Sequence, residues 1–135
     1  MCWSNNMATP IVLKKPLRVY KVGLLATSGS FISLYRNCTY YKYRNMPTVE
    51  ISPEFDRYNP NVGYFVALWE YDRFYIHEGY HSYLTEETAK YVRDIWNTPG
   101  EIGIFEVPIG ATIYVNYKLR EVVSTDIKYL GLLKL

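Results

Sequence analysis

Two stretches of this chain hold the residue types from which chemistry is usually made. The first is Gly79-Tyr80-His81-Ser82-Tyr83-Leu84-Thr85, which contains one of only two histidines and leads into Glu86-Glu87-Thr88-Ala89. A helix starting at Thr85 would present unpaired backbone N–H groups, and an anion held there would have His81 as a hydrogen-bond donor or general acid. The competing reading is a structural histidine whose ring nitrogens are satisfied by nearby backbone. The second stretch is Tyr35-Arg36-Asn37-Cys38-Thr39-Tyr40-Tyr41-Lys42-Tyr43-Arg44, with four tyrosines, three basic residues and no acid. On an extended backbone Tyr41 and Tyr43 would share one face, and Lys42 and Arg44 the other. Tyr35, Arg36, Tyr40, Tyr41, Lys42, Tyr43 and Arg44 then form a surface on which bases stack and phosphates are neutralised. The alternative is a half-buried strand with its tyrosines packed inward and its bases solvated.

Other reaction chemistries find little support. Gly79-Tyr80-His81-Ser82 is not a nucleophile elbow, and Gly29 stands outside any phosphate-binding loop. Glu78 and Glu106 are candidates for paired carboxylates, but their sequence separation does not set the spacing that glycoside hydrolysis needs. Cys2 and Cys38 have no metal-ligand spacing, predict no disulfide and fit a reducing compartment. No metal and no cofactor is expected.

These residues must be positioned by a single domain. The chain has 135 residues, enough to bury a core without covalent staples. Residues 1–9 read as a polar lead-in, and 10–135 as one α+β domain. Leu17–Ala26 is β-branched and aromatic and predicts a strand, with a turn at Thr27–Ser30 and a hairpin partner over Phe31–Arg36. Three prolines make 46–63 an irregular connection around a short Thr48–Ile51 strand. Gly63–Tyr71 reads as a central strand, Asp72-Arg73 as a turn and Phe74–His77 as its hairpin partner. Thr85 predicts an N-cap, and Glu86 and Glu87 suit the positive end of a helix over about 86–96. Ala89, Val92 and Trp96, with Tyr91 and Ile95 alongside, form its core-facing stripe. Ile102–Val107, Thr112–Leu119, Glu121–Ser124 and Asp126–Leu130 supply further strands. The expectation is a mostly antiparallel, strongly twisted sheet with one principal helix.

Composition bears on partners. Tyrosines number 15 against five phenylalanines and three tryptophans, an excess that suits wet aromatic surfaces and interfaces. The net charge of +2 conceals a division: seven bases and no acid precede Glu50, whereas 13 acids face eight bases from Glu50 onward. Such polarity permits head-to-tail self-association, or one face for an anionic partner. The start lacks a basic n-region and an apolar core, and no apolar run is long enough to span a bilayer, so a cytoplasmic location without membrane contact is expected.

The C-terminal part resembles small proteins found in bacteriophages. The likeness rests on Gly79–Thr85, the helix that follows, Phe105-Glu106-Val107-Pro108-Ile109-Gly110-Ala111 and Glu121–Ser124, and covers roughly residues 75–132. It implies a viral protein acting in the host cytoplasm on a host protein or nucleoprotein complex, as an inhibitor of host defence of the anti-CRISPR kind. A second resemblance is to ADP-ribosyltransferase-like folds. In that family an arginine or histidine on an early strand and a glutamate before a proline-glycine turn surround a nicotinamide dinucleotide. Arg18, His81 and Glu106 are the matching positions, which implies nucleotide binding. The family's middle motif of small hydroxyl residues on a strand lacks a clear counterpart, because Ser82 falls beside the expected helix start. The sequence therefore leaves two function classes open: a non-enzymatic binding protein that uses the 35–44 run, and a nucleotide-handling protein that uses His81 and Glu106.

Overall fold

A computed structural model describes residues 10–33, 38–51, 54–57, 72–76, 78–95, 100–117 and 119–134. In chain order the elements are β1 (Ile11–Val12), β2 (Leu17–Leu25), β3 (Phe31–Ser33), β4 (Thr39–Tyr40), β5 (Glu54–Arg57), β6 (Asp72–Tyr75) and β7 (Tyr80–Tyr83). They continue with α1 (Glu86–Ile95), β8 (Glu101–Val107), β9 (Thr112–Asn116), β10 (Glu121–Ser124) and β11 (Lys128–Leu132). Among the described residues this is a mostly antiparallel sheet with one helix, in line with the α+β expectation. The expected central strand at 63–71, and the ends of the expected strands at 34–36 and at His77, lie outside the described residues.

β2 is the central strand because both of its edges are used. One edge pairs with β8 from Leu17↔Val107 to Gly23↔Glu101. The other takes β3 at Gly23–Leu25 and meets β7 through the pair Tyr20↔Tyr83. β7 then pairs with β10, β10 with β9, and β9 with the short edge strand β1. On the far side β8 pairs with β11, with a register shift between Tyr129 and Gly131. The chain after β4 closes the remaining gap. Tyr43 N–H donates to Tyr129 O (2.7 Å), Met46 N–H to Ile127 O (3.0 Å) and Val49 N–H to Thr125 O (2.9 Å). Backbone pairing thus runs from β2 through β3, β4 and residues 43–46 to β11, and back through β8.

Alternation along these strands separates an inner from an outer face. The inner face carries Val19 (β2), Phe31 (β3), Tyr40 (β4), Tyr80 (β7), Phe105 and Val107 (β8), Val122 (β10) and Tyr129 (β11), all in one cluster. Phe31, Phe105 and Tyr129 sit 5.1–5.4 Å apart, ring centre to ring centre. Two glycines make room for this triad. A Cβ on Gly23 would overlap Ile32 O and lie 2.7 Å from the Phe31 ring, and one on Gly103 would lie 2.8 Å from Phe105 and 2.9 Å from Phe31. Neither glycine is at a turn; both are in strands because a ring occupies the space above them.

On the outer face α1 covers the β7–β2–β8 strip through Ala89, Val22 and Ile102, with Tyr20 and Tyr83 beside them. Thr85 caps the helix as expected, its Oγ1 accepting from Thr88 N–H at 3.2 Å. The expected core stripe is narrower than the sequence suggests. Ala89 is fully buried and Val92 is half-buried, whereas Tyr91 and Ile95 are exposed. A small residue at 89 brings the helix close to the sheet, so a single line of contact suffices and the flanking large residues face outward. Trp96 lies outside the described residues.

Three further expectations change. Asp72 and Arg73 are not a turn: they pair with Arg57 and Asp56 as the start of β6. Thr48–Ile51 forms no strand and is an extended connection tied at Val49. Tyr80–Tyr83 is a strand rather than a tight lead-in, because Tyr80 and Ser82 alternate inward and the whole segment finds a partner in β10.

Candidate functional site

The basic aromatic run divides in the structure. Tyr40 is 2% exposed, packed edge-on against Phe105 at 5.0 Å and Tyr80 at 6.4 Å, and so belongs to the core rather than to a binding surface. The inward position in β4, directly opposite Phe31, sets this. Tyr35 and Arg36 lie outside the described residues. What reaches the surface is the turn Tyr41–Arg44.

This turn is not the extended strand that alternation implies. Arg44 N–H donates to Tyr41 O at 3.1 Å, and Tyr43 adopts φ 63°, a left-handed conformation that is uncommon for a residue other than glycine. The two-residue period is therefore broken. Lys42 Nζ stands 5.2 Å from the centre of the Tyr43 ring, and the Arg44 guanidinium 5.0 Å from that of Tyr41, so each cation is paired with a ring. Tyr41 is 49% and Tyr43 68% exposed, and Lys42 and Arg44 are exposed as well. The turn is anchored on both sides, Lys42 bridging Tyr129 and Asn45 bridging Lys128. It presents two aromatic faces and two positive charges on a backbone held by β11.

A second cluster is buried, and the sequence reading does not single it out. Lys21, in the middle of β2, is 3% exposed, and it is the one charged residue among the buried described residues. Its Nζ donates to the His81 carbonyl and lies 5.3 Å from the Tyr40 ring centre and 5.7 Å from that of Phe105. Burial pulls the ammonium down to about 7, with the neighbouring Cys38 thiol acting in the opposite direction. Burial pushes the Tyr40 phenol up, and Cys38 adds to this by charge and by a hydrogen bond between the two side chains. Tyr80 is also raised, chiefly by burial and then by Cys38 and Asp126, and its hydroxyl donates to Pro47 O at 2.5 Å. The available signal is positional: Lys21 shares a face with Val19 and Gly23. Because the opposite face, with Tyr20 and Val22, is equally apolar, the pattern does not say that both faces are covered.

Comparison of the chain with protein-family models, curated proteins and solved structures gave no match. The site is therefore read from its own geometry.

The nucleotide-handling constellation is only partly assembled. Arg18 and Glu106 face one another directly across β2 and β8. His81 lies two strands from Glu106. Counting along the ladder from Tyr20↔Tyr83 places His81 beside Val22, four residues up β2 from Arg18, a separation of roughly 13 Å at the rise of an extended strand. The helix contacts of Val22 and Tyr20 fall on the surface between them. His81 is half-buried and shares its face with Tyr83 rather than with the inward Ser82. Ser82 is on a strand after all, but it faces the core. Among the described residues no cluster of three or more His, Cys, Asp or Glu side chains is arranged to hold a metal ion, and no helix is long and apolar enough to cross a membrane.

Proposed function

We propose that this protein is a non-enzymatic binding module that docks through the Tyr41–Arg44 turn onto a nucleic-acid-containing host complex. The observation that carries the reading is the turn itself, with two exposed tyrosine rings, each paired with a cation within about 5 Å and fixed by main-chain bonds to β11. A preorganised surface of this kind loses little side-chain freedom on binding, and its chemistry suits stacked bases and phosphates. The basic character of the chain before Glu50 supports the same polarity of partner. The resemblance of residues 75–132 to small bacteriophage proteins supports a role as an inhibitor of host defence, with a nucleoprotein complex as the target.

The test is a fluorescence anisotropy titration with labelled single-stranded RNA and DNA across a salt series. The unmodified protein should bind with an affinity that falls as salt rises, and Lys42→Ala/Arg44→Ala should lower the slope of log K against log salt by about 2, as expected for two lost phosphate contacts. Binding that ignores salt, or that survives in Tyr41→Ala/Lys42→Ala/Tyr43→Ala/Arg44→Ala, would rule the surface out.

A further inference from the structure

The interior of the sheet carries a line of polar side chains that the binding surface does not use. In the antiparallel ladder that contains Tyr20↔Tyr83, the next position places Lys21 opposite Ser82. In the β7–β10 ladder Ser82 faces Val122 and Tyr80 faces Ser124, so Ser82 and Ser124 are diagonal neighbours, about 7–8 Å apart between backbones. Lys21, Ser82 and Ser124 thus point inward from three adjacent strands, and their exposures are 3%, 4% and 0%.

The hydrogen bonds along this line do not balance. Ser82 Oγ and Ser124 Oγ are both buried and have no hydrogen-bond partner among the described residues. Lys21 Nζ has three hydrogens to place and, among the described residues, one oxygen acceptor, the His81 carbonyl, with the rings of Tyr40 and Phe105 on other sides. No carboxylate is buried among the described residues, so no acid side chain there neutralises the ammonium from within the core. The titratable groups that bear on it are Cys38 and Tyr40, which are hydrogen-bonded to one another. Buried hydroxyls without partners and a buried cation without a counter-charge are each costly, and native interiors seldom retain both side by side. All three side chains are donors, and what they lack in common is one acceptor.

We propose that Lys21, Ser82 and Ser124 form an interior site for a small monovalent anion of halide size. One ammonium and two hydroxyls make a compact donor set suited to a spherical ion, without the forked donors that a planar carboxylate or a phosphate would require. The anion supplies the counter-charge and accepts from both serine hydroxyls, while the His81 carbonyl keeps the lysine stem in place between β2 and β7.

The experiment follows thermal unfolding of the intact protein at pH 6 while sodium gluconate is replaced by sodium chloride or sodium bromide at constant ionic strength. The expected result is a saturable rise in Tm with either halide, as binding to the folded state alone requires. Ser82→Ala/Ser124→Ala should still fold, because it removes hydroxyls that lack protein partners, and should weaken the apparent halide affinity at least tenfold. Lys21→Met should abolish the halide response. A crystal grown in bromide should show an anomalous peak beside Lys21 Nζ. The proposal is overturned if Tm does not depend on halide, if the serine double variant responds like the parent, or if the interior density is that of water without anomalous signal.

Discussion

The interior around Lys21 and the surface turn at Tyr41–Arg44 are built from the same parts and do opposite things. Each sets a cation 5.0–5.7 Å from aromatic ring centres. Inside, water is excluded, the ammonium is pulled down to about 7, and the rings belong to the core. Outside, Lys42 and Arg44 keep their hydration and Tyr41 and Tyr43 leave about half or more of their surface open. A cation over a ring is therefore not by itself a sign of function. Its solvent decides whether it governs stability or is available to a partner.

The sharpest way to break this contrast is to remove one tyrosine from each region. Tyr40→Ala deletes a ring packed on Phe105 and Tyr80 and should destabilise the fold by about 3–5 kcal/mol. Tyr43→Ala, only three residues away, should change stability by about 0.5 kcal/mol or less. Chemical denaturation of the two variants side by side checks both. Equal losses would show that the turn is part of the core.

That pair also marks what could be read from sequence. The strand at Leu17–Leu25, the Thr85 cap, the Pro108–Gly110 break and the following hairpin were all legible, since each is set by local alternation, a capping hydroxyl or a turn residue. The split between Tyr40 and Tyr41 was not. Two adjacent tyrosines look alike until Phe31 is placed opposite the first, and that pairing depends on a hairpin closed at a distance. Lys21 was missed for the same reason, since its burial follows from β3, β7 and β8 converging on β2 rather than from its neighbours in the chain.

The next test concerns charge. Lys21 has its folded-state ionisation lowered from 10.5 to about 7 by burial. Between about pH 7 and 10 the unfolded chain therefore binds more protons than the folded one, and stability rises with pH across that window; below it both states are protonated and the full penalty remains. In halide-free buffer the parent should become more stable from pH 7 to 10, and Lys21→Met should flatten that rise. At pH 6 the methionine variant should be more stable than the parent by about 1–4 kcal/mol, as when a buried charge gives way to an apolar side chain of similar volume. Urea midpoints across the pH series measure this. An unchanged slope in Lys21→Met would assign the pH dependence to other groups.

A smaller effect is expected where the connection after β4 is tied down. Tyr80→Phe removes the hydroxyl that donates to Pro47 O and should cost about 0.5–1.5 kcal/mol, the usual net value of one such bond. Because Pro47 lies between the turn and the Val49 tie to Thr125, amide exchange at Met46 and Val49 should quicken while exchange within β8 stays as it was. Uniform acceleration would mean that the bond supports the whole core.

The smallest change in stability is the most discriminating for function. Tyr43 holds φ 63° with a full side chain, a conformation that costs a non-glycine residue roughly 1–2 kcal/mol. Tyr43→Gly relieves that strain, and the greater freedom of glycine in the unfolded chain offsets part of the gain. The variant should therefore fall within about 1 kcal/mol of the parent, on the stabilising side. It also removes the ring beneath Lys42 and one of two exposed stacking faces, so affinity for single-stranded nucleic acid should fall by about 1–3 kcal/mol, the range for one lost base–aromatic contact. A strained tyrosine kept where glycine fits better is accounted for if the side chain contacts a partner. If Tyr43→Gly binds as tightly as the parent, the ring is not a contact and the strain serves the turn alone.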